Sequence, residues 1–198
     1  MTKSQNTAVK IIDIDTIENY LVAGIENKGW YQSSNDSAVR FCNRYGLDLT
    51  TFLSVTAILS PRVQVVRNIR LARQWCLENK NPKSIMSQRV RALEAYHKSG
   101  IVTGEKVKAF RESLLLVDGA CCIDIHMSRA FGYQGGELMR NTLFFKGERE
   151  AAQSIVRRLA SKYQMPSYSA QSSIWCGYLE LEAGYTQDRF KPMDFENV

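Results

Sequence analysis

The chain has 198 residues, 44% of them hydrophobic, which is ample for a packed core in one large domain or two small lobes. Its 26 basic and 20 acidic residues leave a net charge of +6, compatible with a polyanionic partner but too modest to demonstrate one. No apolar run approaches the roughly 18 residues that a membrane span needs, which argues against an integral membrane role.

Apolar residues recur at helical spacing through most of the chain, and strict alternation is almost absent, so the expectation is an all-α protein. A first helix is predicted over IDTIENYLVAGIENKG, with Ile17, Tyr20, Leu21 and Ile25 on one face and Gly29 as its stop. A second is expected over SNDSAVRFCNRYG, capped by Ser34 or Asn35, turning Val39, Phe41 and Cys42 inward and ending at Gly46. The stretch DLTTFLSVTAILSPRVQVVRNIRLARQWCLEN reads as two helices joined at Pro61, because proline lacks the backbone donor and biases Ser60 away from helical geometry. Phe52, Leu53, Ile58, Leu59, Val66, Ile69, Leu71 and Trp75 are read as packing residues, Trp75 included.

Two further helices flank the glycine-bounded connection from Gly100 to Gly104, a pattern that looks like a helix-hairpin-helix. With Thr103 as N-cap, Gly104, Glu105 and Lys106 occupy the first helical positions, and their unpartnered N–H groups favour phosphate. Lys98, Lys106 and Lys108 reinforce that field, although surface lysines look the same in sequence. After Gly119 the apolar ACCI is expected to run into the core before Asp124 opens a helix through IHMSRAFGY. Two closing helices are predicted over EREAAQSIVRRLASKYQ and SYSAQSSIWCGYLELEAG, separated at Pro166, and the aperiodic tail after Tyr185 reads as a loop or extended arm. This divides the chain into N-terminal helices (1–48) that complete the bundle, a helix-hairpin-helix core with its closing helices (49–185), and a tail (186–198).

The five cysteines, Cys42, Cys76, Cys121, Cys122 and Cys176, have spacings that suit neither a zinc knuckle nor an iron-sulfur loop, so no metal and no cofactor is implied. Their odd number and mostly apolar company indicate reduced, buried thiols. Together with the lack of a charged-then-apolar leader at MTKSQNTAVK, this predicts a cytoplasmic setting, or the nucleus if the source is eukaryotic.

The pair that carries most chemistry is Lys106 and Asp124, 18 positions apart. An unprotonated amine can attack a sugar carbon, and a nearby carboxylate can accept its proton or stabilise positive charge on the sugar. Alone, each has a plainer reading, as a solvated lysine and a helix cap.

The succession of LSP, LEAYHKSGIVTGEKVKAF and CCIDIHMSRAF, over roughly Thr50 to Phe131, resembles the helix-hairpin-helix DNA glycosylase superfamily, specifically its endonuclease-three-like branch. GEK matches the junction of hairpin and helix, with Lys106 in the position of the catalytic lysine of bifunctional members. CIDIH matches the apolar-Asp-x-His pattern, with Asp124 as the aspartate delivered into the same cleft. GIVTG stands where the superfamily has a tight Gly-x-Gly, and the cysteine loop of many relatives is missing, which excludes a cluster.

The resemblance implies a helical bundle of glycosylase type that flips a modified or damaged base out of duplex DNA, cuts its glycosidic bond, and acts as a lyase through a Schiff base on Lys106. It implies DNA contacts from Gly100, Thr103, Gly104, Glu105, Lys108, His126 and Arg129. His126 is read as a structural or DNA-contact residue rather than a catalyst, since two residues along a helix turn it about 200° from Asp124. Arg129 is read equally as a phosphate ligand or the partner of an acidic side chain. Gln171 and Trp175 share a face of the last helix, and Trp30 and Tyr31 flank a turn; packing is the default reading for both pairs. Three alternatives stay open: an enzyme of the same scaffold that hypermodifies an activated thymine in viral DNA, a helix-hairpin-helix module that binds DNA without reaction, and an α-helical interaction protein whose motif match is accidental.

Overall fold

The computed structural model describes residues 13–61, 63–78, 80, 85–132, 146–186 and 190–197. Among these every regular element is helical: α1 (Ile14–Ala23), a 3-10 turn (Ile25–Asn27), α2 (Trp30–Tyr45), α3 (Leu49–Leu59), α4 (Val65–Glu78), α5 (Ser87–Ser99), α6 (Glu105–Leu114), α7 (Ile125–Ala130), α8 (Lys146–Lys162) and α9 (Ser167–Leu181). The all-α expectation holds, and among the described residues no helix is long and apolar enough to cross a membrane.

Most helix ends follow local chemistry. The Asp48 carboxylate accepts from Thr51 N at 2.7 Å and starts α3, while the break falls at Pro61 as expected although Ser60 before it keeps helical backbone angles, φ −64° and ψ −32°, rather than turning away. Gly46 closes α2 as expected, and Pro166 begins the last helix. Several ends differ from the sequence reading. Helix α1 stops at Gly24 rather than Gly29. Helix α2 starts at Trp30, so Ser34 and Asn35 are buried inside it rather than capping it. Their side chains serve distant partners: Ser34 Oγ accepts from Met193 N at 2.9 Å, and Asn35 Nδ2 donates to Leu114 O at 2.8 Å. Another is the start of α6, whose cap is Gly104 and not Thr103.

The described side chains gather around two hydrophobic cores that interleave along the sequence. One draws Phe41, Phe52, Leu53, Leu59, Ile69, Leu93 and Leu114 from α2 to α6, together with Met193 and Phe195 from the C-terminal segment. Its centre is α3, where every residue from Phe52 to Leu59 is buried, as befits a helix apolar on all sides. The second combines Ile17 and Leu21 of α1, Met127 of α7, Val156 and Leu159 of α8, and Ala170 and Ile174 of α9.

Among the described residues after Tyr185 no regular element occurs, and residues 190–197 are anchored. Phe190, Met193 and Phe195 are buried, Trp30 Nε1 donates to Lys191 O at 3.1 Å, and Phe195 N donates to Ser37 Oγ at 2.8 Å. Glu196 adds ion pairs to Arg40 and Arg44 at 2.7 and 2.9 Å, whose exposed arginines keep their stabilisation small. Helix α7 stops at Ala130, short of the expected Tyr133, with Phe131 as its C-cap and Gly132 turning at φ 77°.

Helix α9 is rich in serine, alanine and glycine, and this smallness sets how closely α1 can cross it. A Cβ on Gly24 would lie 2.0 Å from Ser173 O, and one on Gly177 would lie 1.9 Å from Tyr20 O. Both obstacles are backbone atoms, so a methyl group would force the helices apart. Two buried hydroxyls of α9 meet backbone carbonyls: Ser173 Oγ donates to Ser169 O at 3.0 Å, and Ser172 Oγ lies 3.0 Å from both Ser169 O and Asn27 O, to which its one proton can turn. Gly24→Ala and Gly177→Ala should each cost about 1–3 kcal/mol or more in chemical denaturation, the usual scale of overpacking. Gly29→Ala, where an added Cβ meets nothing within 4 Å, should change stability by less than about 1 kcal/mol. Equal midpoints for all three variants would contradict the crossing.

Candidate functional site

The hairpin between α5 and α6 needs a left-handed turn at each end. Gly100 has φ 67° and its N–H donates to Tyr96 O at 2.7 Å, while Gly104 has φ 88°, so side chains would strain both positions. Between them Val102 plugs into the first core, whereas Ile101 and Thr103 are exposed. Gly104 places Glu105, Lys106 and Val107 at the first three positions of α6, with no side chain capping their amides. Glu105 and Lys108 lie on the surface with a 4.0 Å contact, too exposed and too long to contribute much. Lys106 is half-buried and makes no ion pair among the described residues.

From α6 the chain turns through Leu116 and Gly119 and dives into buried Ala120, Cys121, Cys122 and Ile123, the apolar run anticipated from ACCI. Helix α8 holds this run from one side: Gln153 Nε2 donates to Cys121 O at 3.1 Å and Arg157 Nε to Gly119 O at 3.3 Å. Helix α6 holds it from the other, where the Cys122 thiol donates to the Lys106 carbonyl at 3.7 Å. The run delivers Asp124 as the N-cap of α7, with Oδ1 accepting from Met127 N at 2.8 Å. The second carboxylate oxygen makes no hydrogen bond among the described residues.

Cys122 thus joins the backbone of Lys106 and lies two positions before Asp124 in the chain. Burial pushes the Cys122 pKa up to about 12, with the Asp124 charge adding to the rise and Lys106 and Arg149 opposing it. Asp124 also acts on Tyr31. That fully buried phenol titrates well above its usual value because of burial first, then the nearby Cys122, Asp124 and Cys121. No ion pair within 4.0 Å joins Lys106 to Asp124.

The other side of the site is α9. Tyr31 Oη donates to Gln171 Oε1 at 2.7 Å, and one turn on, Trp175 meets the His126 ring edge-on at 6.4 Å. Trp30 and Tyr31, 8% and 4% exposed, are core residues and not surface wedges. Among the described residues no hydrogen bond, ion pair or ring contact joins the hairpin residues expected to meet DNA to His126 or Arg129. Gly100, Thr103, Gly104, Glu105 and Lys108 belong to the hairpin, His126 is half-buried against Trp175, and Arg129 is exposed with no ion pair among the described residues. Sequence reasoning did not single out Cys122 or Tyr31 for the site. The only sequence signal was indirect, the four-residue spacing of Gln171 and Trp175 on the helix that meets them.

Among the described residues no group of three or more His, Cys, Asp or Glu is arranged to hold a metal, and all five cysteines are free thiols. The fold and site together define an all-α protein with a hairpin-borne lysine and a helix-capping aspartate at the seam of two cores. By its match over residues 17–180, the chain belongs to the family described as "Family of unknown function (DUF7178)". Comparison with curated proteins and with solved structures returns no match.

The buried thiols make a pH-dependent contribution whose sign is set. Burial raises Cys42 to about 11 and Cys76, Cys122 and Cys176 to about 12, whereas an unfolded thiol ionises near about 8.5. The folded state thus holds protons that the unfolded state releases, so their contribution is complete below about 8.5 and is lost as pH climbs through the folded values. Denaturation midpoints should fall steadily from about pH 8.5 to about pH 11; a flat or rising midpoint there would contradict the buried, protonated thiols.

Proposed function

We propose that this protein is a DNA-base-processing enzyme of helix-hairpin-helix glycosylase type, with Lys106 as nucleophile and Asp124 as its carboxylate partner. The observation that carries the reading is that the run ending in Asp124 packs on the first turn of α6, where the Cys122 thiol donates to the Lys106 backbone carbonyl at 3.7 Å. The reading is further supported by the five-residue connection with a left-handed glycine at each end, and by uncapped amides at the start of α6 that suit a phosphate.

In this mechanism hairpin amides and Lys108 grip the backbone while the target base leaves the stack, at a cost of about a few kcal/mol. The unprotonated Lys106 amine attacks C1′ of the sugar, and the base departs with the electron pair of the glycosidic bond and takes up a proton. Asp124, held by its bond to Met127 N, keeps its second oxygen to stabilise positive charge on the sugar or take the lysine proton. Opening of the sugar ring gives a protonated Schiff base, from which loss of the C2′ proton expels the 3′ phosphate.

Borohydride reduction during incubation with duplexes bearing modified or deaminated bases should trap a covalent protein–DNA adduct. Lys106→Ala should abolish the adduct while DNA binding persists, and Asp124→Asn should slow its formation about 10²-fold or more. An undiminished adduct in Lys106→Ala would reject the assignment. Binding without base release would identify a DNA-binding module instead.

A further inference from the structure

Residues 190–197 lie against α2, and side chains alone hold their backbone there. Trp30 Nε1 donates to Lys191 O at 3.1 Å, Ser34 Oγ accepts from Met193 N at 2.9 Å, and Ser37 Oγ accepts from Phe195 N at 2.8 Å. Glu196 pairs with Arg40 and Arg44 further along the same helix. Among the described residues no backbone-to-backbone hydrogen bond joins 190–197 to any other element. The last such donor before the segment is Tyr185 N, which bonds Leu179 O at 3.0 Å.

What seats the segment is burial. Phe190, Met193 and Phe195 are each exposed by 2% or less, and Phe195 meets Phe52 edge-on at 5.0 Å, whereas Lys191, Pro192 and Asp194 are exposed. Lifting the segment breaks no bond within a helix. Ser34 Oγ, for one, keeps its own bond to Trp30 O at 2.8 Å. A segment attached through a few side chains, with no shared backbone ladder, opens at lower free energy than the helices it rests on.

The seated arrangement also strands a polar atom. Trp175 meets Trp30 at 6.4 Å, His126 at 6.4 Å and Phe190 at 6.1 Å, and its indole N–H is sealed from solvent without a hydrogen-bond partner. A buried donor with no acceptor weighs against the closed state. Of these three rings, Phe190 is the one that leaves with the segment. His126 belongs to α7, the six-residue helix that Asp124 caps, so Trp175 touches both the segment and that helix.

We propose that residues 190–197 form a releasable strap, seated on α2 by burial and side-chain hydrogen bonds, and that its seating steadies α7 through Phe190, Trp175 and His126. Closed, the strap completes the ring of aromatic contacts around Trp175. Open, it frees one side of the indole and loosens the helix that presents Asp124. This coupling holds whatever reaction Asp124 takes part in.

Native-state amide hydrogen exchange of the full-length protein, followed by NMR at increasing low concentrations of denaturant, tests both parts. With intrinsic rates allowed for, the Met193 and Phe195 amides should exchange about tenfold or more faster than the buried amides of α3. Their dependence on denaturant should be much shallower, because opening the strap exposes little surface. Phe195→Ala removes an anchor that lies in the first core, whereas α7 packs in the second, and should speed exchange at Met193 about tenfold or more. The Ser128 and Phe131 amides, which bond Asp124 O and Met127 O at the two ends of α7, should speed up with it and keep a shallow denaturant dependence. Glu196→Gln, which loses only ion pairs to exposed arginines, should act in the same direction by roughly two- to fivefold, and it serves should the alanine variant not fold. Exchange of Met193 and Phe195 in step with α3, at the same denaturant slope, would overturn the strap. Exchange in α7 that is unmoved by both variants, or that follows α3 in slope, would overturn its coupling to the strap.

Discussion

The close crossing of α1 and α9 is the constraint on which the rest of the arrangement depends. Two glycines meet there, Gly24 and Gly177, and either added methyl would fall within 2.0 Å of a backbone oxygen of the opposite helix. Interiors packed at crystal-like density do not absorb such an intrusion without moving an element. Because α9 also packs on α2, α7 and α8, its position sets where Tyr31, Asp124 and the second core lie relative to one another. The small serines and alanine of α9 serve the same end: they let neighbours approach, and the Ser172 and Ser173 hydroxyls are returned to the helix backbone.

What this packing holds in place is a seam. The first core supplies α6 and Lys106, the second supplies α7 and its cap Asp124, and buried residues 120–123 run between them. Cys122 stitches the two sides through the Lys106 carbonyl, and α8 braces the same run through Gln153 and Arg157. The Lys106 backbone is held by Cys122 and the Asp124 carboxylate by Met127 N, and among the described residues no ion pair within 4.0 Å consumes either charge. A direct pair would stabilise both ionised forms and oppose nucleophilic attack by the amine. Asp124 divides its labour, with one oxygen capping a helix and the other unengaged among the described residues.

The parts of the fold legible in the sequence are those decided within a few residues. Asp48, Pro61, Gly46, Gly100, Asp124 and Pro166 mark helix ends through caps, missing donors and turns, and each lies at such an end. The misplaced ends have distant causes. Ser34 and Asn35 look like caps, yet their polar groups are needed by Met193 and Leu114, which lie 159 and 79 positions away. Gly24 ends α1 where Gly177 must approach, and no local pattern distinguishes it from Gly29. At the hairpin, Thr103 is the better cap by residue type, but the left-handed turn before α6 suits only a glycine at 104. The site divides in the same way. Lys106 and Asp124 are legible because each opens a helix, whereas Cys122, Tyr31 and Gln171 gain meaning only through contacts made across α6, α7 and α9.

The central claim is that Lys106 and Asp124 face one sugar in a DNA strand. A crystal structure of the protein bound to a duplex carrying a single tetrahydrofuran abasic analogue tests this most directly. The account predicts the analogue rotated out of the helix, its C1′ between Lys106 Nζ and the Asp124 carboxylate, with the Gly100–Gly104 hairpin on the adjoining phosphates. A duplex bound on another face, or an abasic sugar remote from both side chains, would contradict it.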